Sequence, residues 1–514
     1  MSTDAPTYAV GVQPLTIEAV LDLATGRAHV ALDDDPACRA RIEAAAAFLA
    51  RKLAENAHIY GVTTGVGDSV TTRVRAEHAE DFSIHLMRFH GCGLGEILSE
   101  TQAAAVLAVR LASLSRGHCG VRVQVLERLC QLLNLRILPR IPSIGSVGAS
   151  GDLTPLSYVA ALLVGEREAS VRGEVLPAAQ ALAEMGLAPV KLSAKESLSL
   201  MNGTSVMTAL ACIAYDRSRR LARWVAALTA MGSDVLQGNP AHFDARLFEL
   251  KPHPGQAAVA RWIREDIEYD PAHPGTPARL QDRYSIRCVP HIVGVLVDSQ
   301  PWLRTWIETE INSVNDNPIV DAEAGVILHG GNFYGGHVGF AMDCLKTAVA
   351  NLADLLDRQM QLLCDKGTNA GLPVNLVGVQ GDEAAVHHGF KAMAISASSI
   401  AAEACKLTMP ASVFSRSTEC HNQDKVPMAT IAARDCLRIL DLAEMAASIV
   451  TLAMCQAVDL RAGENCHRRS QALHASVRGQ VPMITQDRRM DVDIAAVLSL
   501  AHAGQLAIGE VDVP

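Results

Sequence analysis

Aromatic side chains are scarce in this chain: Phe, Trp and Tyr together supply 4% of 514 residues, although 49% are hydrophobic. A core has to be built from Ala, Leu, Val and Ile, which favours packed helices over a sheet sandwich. Positive charge is short as well, with 45 Lys and Arg against 55 Asp and Glu and a formal net charge of −10. That balance argues against nucleic acid or an anionic membrane surface as a partner and fits a soluble protein. Long apolar runs are missing too. The stretch from Ala446 to Val458 is broken by Ser448, Thr451 and Gln456, short of the roughly 18 residues a membrane span needs. Met1-Ser2-Thr3-Asp4-Ala5-Pro6 has neither a basic start nor an apolar run, so no secretory signal is expected and the protein is expected in the cytoplasm. The 13 cysteines are an odd number without a Cys-x-x-Cys pair, which speaks for a reducing compartment and against a disulfide framework or zinc site. His387-His388 and the other histidines lack ligand spacing, and no Lys stands in a pyridoxal-type setting. No metal and no organic cofactor are expected.

What the sequence does have is long amphipathic helices. Ser99 followed by Gln102 has capping-box spacing and predicts a helix from about Glu100 to Ser115, ending near Gly117. From His337 to about Asp365, Phe340, Leu345, Val349, Leu352, Leu356, Met360 and Leu363 recur every three or four positions, with Asp343, Lys346, Asp354 and Arg358 between them. Similar patterns run from about Gly203 to Met231, from Asp382 to Met409 and from Met428 to Leu460. The expected fold is mainly α: a loop-rich N-terminal domain over residues 1–200, then a long-helix bundle and C-terminal helical region over 201–514. Gly- and Pro-rich connections at 60–67, 141–152, 202–203, 329–336 and 371–373 collect the residues with chemical potential, as loops on a rigid frame commonly do.

Among these, Ala149-Ser150-Gly151 can turn its own backbone into an electrophile. The Gly151 nitrogen is unhindered, the Ala149 carbonyl is open to attack, and the Ser150 hydroxyl can be eliminated. Ring closure with loss of two waters would give methylideneimidazolone, a Michael acceptor suited to expelling an amine beside an unactivated carbon–hydrogen bond. The tripeptide alone equally marks a turn. Flanked by Ser146-Val147-Gly148 and Asp152-Leu153-Thr154-Pro155-Leu156, it resembles the signature of the aromatic amino-acid ammonia-lyases and aminomutases, the histidine, phenylalanine and tyrosine enzymes that carry this prosthetic group. The resemblance covers nearly the whole chain. It implies a fumarase/aspartase-like architecture and a homotetramer whose active sites take residues from three subunits. The additional helical insert of the plant phenylalanine enzymes is missing, as in the compact bacterial form.

The same resemblance assigns roles residue by residue. Tyr60, in Tyr60-Gly61-Val62-Thr63-Thr64-Gly65-Val66-Gly67, is similar to the loop tyrosine that removes the β-proton; a phenol serves as that base only with its pKa, normally about 10, lowered. A phosphate loop is a poor alternative, because no Gly-Lys-Ser/Thr follows. Val66 stands where many relatives have a bulky aromatic. Asn202, in Leu200-Met201-Asn202-Gly203, matches the asparagine beside the prosthetic group, with a helix-start residue as the other reading. Arg287, in Tyr284-Ser285-Ile286-Arg287-Cys288, is implied to grip the substrate carboxylate with its planar fork, with Tyr284 and Gln281 lining the pocket. Asn312 to Pro318 and Gly330-Gly331-Asn332-Phe333 resemble two further signatures. They put Asn317 toward the carboxylate and Phe333 near the electrophile, although core packing is the default for a Phe. In Glu419-Cys420-His421-Asn422-Gln423-Asp424, the glutamate is implied to face the departing amine and Asn422-Gln423 to order the site. A solvated helix end is the alternative there.

Phe89-His90, in Leu86-Met87-Arg88-Phe89-His90-Gly91, matches the pair that faces the far end of the substrate ring. Phenylalanine enzymes typically have Phe-Leu there, histidine enzymes and tyrosine aminomutases Ser-His, and the best-known tyrosine lyases His-Leu, so the pair is a hybrid. A buried hydroxyl without a partner costs about 1–3 kcal/mol, enough for one imidazole to choose tyrosine over phenylalanine. Histidine enzymes carry Gln-Glu-Asp where this chain has Asn422-Gln423-Asp424, and Lys425 and Pro427 depart from the usual pattern just beyond. The resemblance implies a tyrosine ammonia-lyase first, yielding trans-4-hydroxycinnamate. A phenylalanine or histidine lyase, or a tyrosine 2,3-aminomutase, is the alternative.

Overall fold

The helix predicted from its capping box forms as Glu100–Leu114: Ser99 accepts from the Gln102 amide at 3.2 Å, and the Gln102 side chain accepts from the Ser99 amide at 2.9 Å. Its residues 103–114 are buried, and its small alanines allow close approach of neighbouring backbones. The structure is a computed structural model that describes residues 5–273, 279–463 and 466–511. The opening Met1–Asp4, read for a leader, lies outside the described residues.

The chain forms two compact units, each built from three segments. Met1–Ile213, Leu303–Asp343 and Pro410–Arg434 make the first; Ala214–Trp302, Cys344–Met409 and Asp435–Pro514 make the second. The first break falls between Ile213 and Ala214, and two later segments return to the first unit. Both segments carry candidate site residues.

The first unit holds the small sheets: the parallel pair Thr7–Val10 and His29–Leu32, the antiparallel three-stranded Ile137–Pro139, Glu168–Val171 and Glu174–Pro177, and two antiparallel pairs. One of these pairs matters for function. Leu94–Ile97 runs beside Pro142–Ile144 with Leu94 opposite Ile144, which draws the chain just after Phe89-His90 to the chain just before Ala149-Ser150-Gly151.

Long helices dominate the remainder, at Ser205–Val235, Val289–Ile311, Gly336–Cys364 and Ala429–Leu460. The polar residues that interrupt the apolar run near 446–458 are buried and satisfied within the second unit. Thr451 accepts from Trp224 Nε1 at 3.0 Å, Ser448 donates to the Glu444 carbonyl at 2.9 Å, and Gln456 binds the Ile484 backbone in both directions at 2.8 and 3.0 Å. Such partners remove the penalty of burying polar groups. No helix among the described residues is long and apolar enough to cross a membrane.

One predicted helix is divided. In place of a run from Asp382 to Met409 there is a 3₁₀ turn, Gly381–Val386, and then a helix, Lys391–Lys406. Between them the amides of His388 and Gly389 donate to the Asp487 carboxylate at 2.7 and 2.9 Å. Backbone donors captured by a distant side chain cannot extend a helix, and apolar spacing carries no sign of that capture.

Candidate functional site

The run 148–152 folds into a tight turn. The Gly151 amide donates to the Gly148 carbonyl at 3.2 Å, and Ser150 and Gly151 are consecutive left-handed residues with φ of +50° and +77°. Ser150 adopts a conformation that L residues other than Asn and Asp seldom take. A Cβ at 151 would overlap the carbonyl oxygen of Gly203, so only glycine fits. The turn is locked to that neighbour: Gly203 donates to the Ser150 carbonyl at 3.1 Å and Asp152 donates to the Gly203 carbonyl at 2.7 Å.

Asp152 is the peg that holds the turn. Its buried carboxylate accepts from the amides of Val206 and Met207, at 3.0 and 2.9 Å, and from Ser146 and Thr430. Those amides open the helix Ser205–Val235, where unpaired donors and the dipole favour an anion. Burial pushes the Asp152 carboxyl up, against the pull of these donors.

Asn202 is 2% exposed and fixed by its amide nitrogen, which donates to Asp316 Oδ1 at 3.1 Å and to the Asn317 carbonyl at 2.8 Å. Its Oδ1 is buried with no hydrogen-bond partner. A free acceptor next to the turn fits a site built for a further polar group. Behind Asn202, Lys195 donates to Asp316 Oδ2 at 2.6 Å, to Ser199 at 2.7 Å and to the Cys119 carbonyl at 3.0 Å. Both side chains of this ion pair are 0% exposed. Removing one partner of such a pair leaves an uncompensated buried charge. Lys195→Met is therefore expected to lower the unfolding free energy by about 3–5 kcal/mol in a urea titration, and an unchanged midpoint would contradict that.

Asn317 spends its side-chain oxygen on the Gly330 amide at 2.9 Å, joining two sequence signatures. Phe333 sits in the turn closed by Tyr334 donating to the Gly331 carbonyl at 2.9 Å, and it is half-buried rather than a core residue. Next to Gly330, His329 Nε2 accepts from the Tyr60 amide at 3.4 Å.

The Tyr60 hydroxyl accepts from the Gly67 amide at 2.8 Å, and the neighbouring Asp68 amide donates to both Glu419 carboxylate oxygens, at 2.9 and 3.0 Å. Tyr60 and Glu419 are thereby joined through one short segment of backbone. The expectation of a lowered phenol pKa is not met in this arrangement: burial and the Glu419 charge push Tyr60 up, and the Gly67 donor pulls it down by less. Glu419, Cys420 and His421 are three consecutive left-handed residues, so the run is a sharp loop rather than a helix end. Asn422 closes it by donating to the Glu419 carbonyl at 2.9 Å, and Gln423 pairs with Thr418 through backbone and side chain. Lys425 is exposed, whereas Pro427 is buried against Gly148 of the turn.

Phe89 ends the helix Ala79–Phe89 and His90 caps it. Their rings stack with centroids 4.1 Å apart. His90 Nδ1 lies 2.8 Å from the Leu86 carbonyl; a carbonyl only accepts, so Nδ1 carries the proton. Burial, with a smaller contribution from the Arg167 cation, pushes the imidazole pKa down. The ring is neutral at physiological pH, and its Nε2 is an acceptor.

Gln281, Tyr284 and Arg287 belong to the second unit. The short helix Tyr284–Arg287 stacks the Arg287 guanidinium 4.8 Å from the centre of the Tyr284 ring. Tyr284 is 70% exposed, Gln281 is exposed, and Arg287 Nε is buried without a partner. In the first unit a continuous series of contacts joins Ser150, Asn202, Asn317, Tyr60 and Glu419. Sequence reasoning assigned no role to Asp152, Lys195 or Asp316. The signal available for them was charge among apolar or small neighbours, as in Ala194-Lys195-Glu196.

A family model described as aromatic amino acid lyase matches residues 15–479. The chain belongs to the aromatic amino acid lyase family. A histidine ammonia-lyase of Koribacter versatilis is 37% identical over 507 residues, spanning 96% of this chain and 97% of that one. A histidine ammonia-lyase of Aromatoleum aromaticum is 39% identical over 479 residues, 93% and 90% of the two chains. The crystal structure of a tyrosine aminomutase from Streptomyces globisporus superposes with a TM-score of 0.90 at 33% identity, covering 97% of each chain. This aromatic amino acid lyase is an enzyme, a carbon–nitrogen lyase, with the mainly α fumarase/aspartase-like fold expected from its sequence.

Proposed function

We propose that this aromatic amino acid lyase removes ammonia from L-tyrosine to give trans-4-hydroxycinnamate, with a methylideneimidazolone closed from Ala149, Ser150 and Gly151. The turn with its consecutive left-handed residues, pegged by Asp152 against Gly203, carries the reading. Once formed, the group supplies an electrophilic carbon for the substrate amine, and no metal takes part. Arg287 holds the carboxylate by a two-pronged bond, with Tyr284 and Gln281 beside it. Tyr60 takes the β-proton in its ionised form, a minority at neutral pH because burial holds the phenol pKa up. Glu419 faces the amine, Asn202 and Asn317 fix polar groups around the reacting end, and Phe333 covers it. Asn422 and Gln423 order the loop. The working form is a homotetramer with active sites shared between subunits.

The substrate is read from His90. With Nδ1 committed to Leu86, Nε2 is left to accept, and a phenol hydroxyl is a donor that phenylalanine lacks. Histidine also offers a ring N–H, and the relatives named histidine ammonia-lyase support that second reading. Against it stands Gln423, an amide where the resemblance leads one to expect a carboxylate to pair with an imidazole. Tyrosine, phenylalanine and histidine assayed side by side should give the highest kcat/KM for tyrosine. His90→Leu should reduce its preference over phenylalanine about 10-fold, since an unmet buried hydroxyl costs roughly 1–3 kcal/mol. Preference for histidine, or discrimination untouched by His90→Leu, would refute the tyrosine reading. β-Tyrosine among the products would replace lyase by aminomutase.

A further inference from the structure

Arg167 stands where a side chain is disfavoured. Between the helix Leu153–Leu163 and the strand Glu168–Val171, its φ is +66°, a left-handed conformation that suits glycine. Such residues persist where their surroundings over-determine them. The guanidinium donates from Nη1 to Ser157 Oγ at 2.9 Å and from Nη2 to the Met87 carbonyl at 2.9 Å, and it lies 4.2 Å from the centre of the Tyr158 ring. It also fills the space beside Gly91, where any Cβ would overlap Nη2.

These contacts converge on one short segment. Ser157 Oγ is 3.2 Å from the His90 carbonyl and 2.7 Å from that of Thr154, and Tyr158 accepts from the Gly93 amide at 3.2 Å. The adjacent Glu166 binds Arg88 at 3.0 and 2.5 Å. Met87, Arg88, His90, Gly91 and Gly93 are all tied down from residues 157–167. The pair Phe89-His90 rides on that segment.

We propose that Arg167 is a specificity-determining positioning residue: through Met87, Ser157 and Gly91 it fixes where Phe89 and His90 meet the far end of the substrate ring. The proposal rests on the reading of His90 as the ring-facing acceptor. Displacing the segment by a fraction of an ångström lengthens a hydrogen bond to the ring and leaves the reacting end unaltered. The Arg167 cation also helps to keep His90 neutral, hence an acceptor.

Arg167→Gly tests this, because glycine accepts the left-handed backbone and removes only the side chain. In the intact enzyme, hydrogen exchange of the 86–93 amides should quicken while the near-ultraviolet absorbance of the prosthetic group stays. The kcat/KM ratio of tyrosine to phenylalanine should fall about 10-fold, and in a His90→Leu background Arg167→Gly should change it no further. Discrimination that responds to His90→Leu but not to Arg167→Gly overturns the role of Arg167 while the reading of His90 stands. Unchanged exchange across 86–93, or additive effects in the double variant, overturns it as well. Discrimination unaffected by His90→Leu removes the reading beneath it.

Discussion

Ser150→Ala should remove the near-ultraviolet band that the prosthetic group adds to the Trp and Tyr absorbance, and lower kcat by about three powers of ten or more. General acid–base groups supply roughly two to four powers of ten, whereas enzymes commonly reach six or more over the uncatalysed reaction, so the remainder falls to the electrophile. Serine and alanine share a Cβ and bear the same penalty at φ of +50°, so the turn should survive. The ties from Gly203 and Asp152 are to backbone and to other side chains. Circular dichroism should therefore match the parent protein. A variant that keeps the band and the rate would detach the chemistry from residue 150.

Tyr60→Phe has the second largest expected effect, a loss of about 10²–10⁴ in kcat with the ring and its packing retained. The pH dependence follows from the hydroxyl's surroundings. Burial and Glu419 hold the phenol above its usual range, so at neutral pH most of the enzyme carries the protonated, inactive base. Activity should rise as pH climbs until Tyr60 ionises. Glu419→Gln removes one upward influence and should move that rise to lower pH, whereas Tyr60→Phe should erase it. A rise that persists in Tyr60→Phe would assign the proton transfer elsewhere.

Local chemistry was legible in the sequence wherever a short run fixes its own structure. The Ser99 and Gln102 pair marked a helix start, and the apolar spacing from Phe340 to Leu363 marked the helix Gly336–Cys364. Glycine-rich loops marked 141–152 and 202–203, which the structure joins where the Gly203 amide donates to the Ser150 carbonyl. What escaped depends on partners far along the chain. Asp487 breaks the run near His388, Asp316 holds Lys195, and Ser157 and Met87 hold Arg167 in a left-handed conformation. Sequence spacing has no term for such distant partners. The direction of the Tyr60 shift was equally hidden, because it comes first from burial of the hydroxyl in the fold, with the Glu419 charge adding less.

The most direct measurement is the intact mass of purified, active protein, followed by that of the peptide containing residues 145–155. Both should be lighter than unmodified translation predicts by two water molecules, with Ser150→Ala showing no such loss. An active preparation at the full translated mass, with an ordinary serine at 150, would contradict the account.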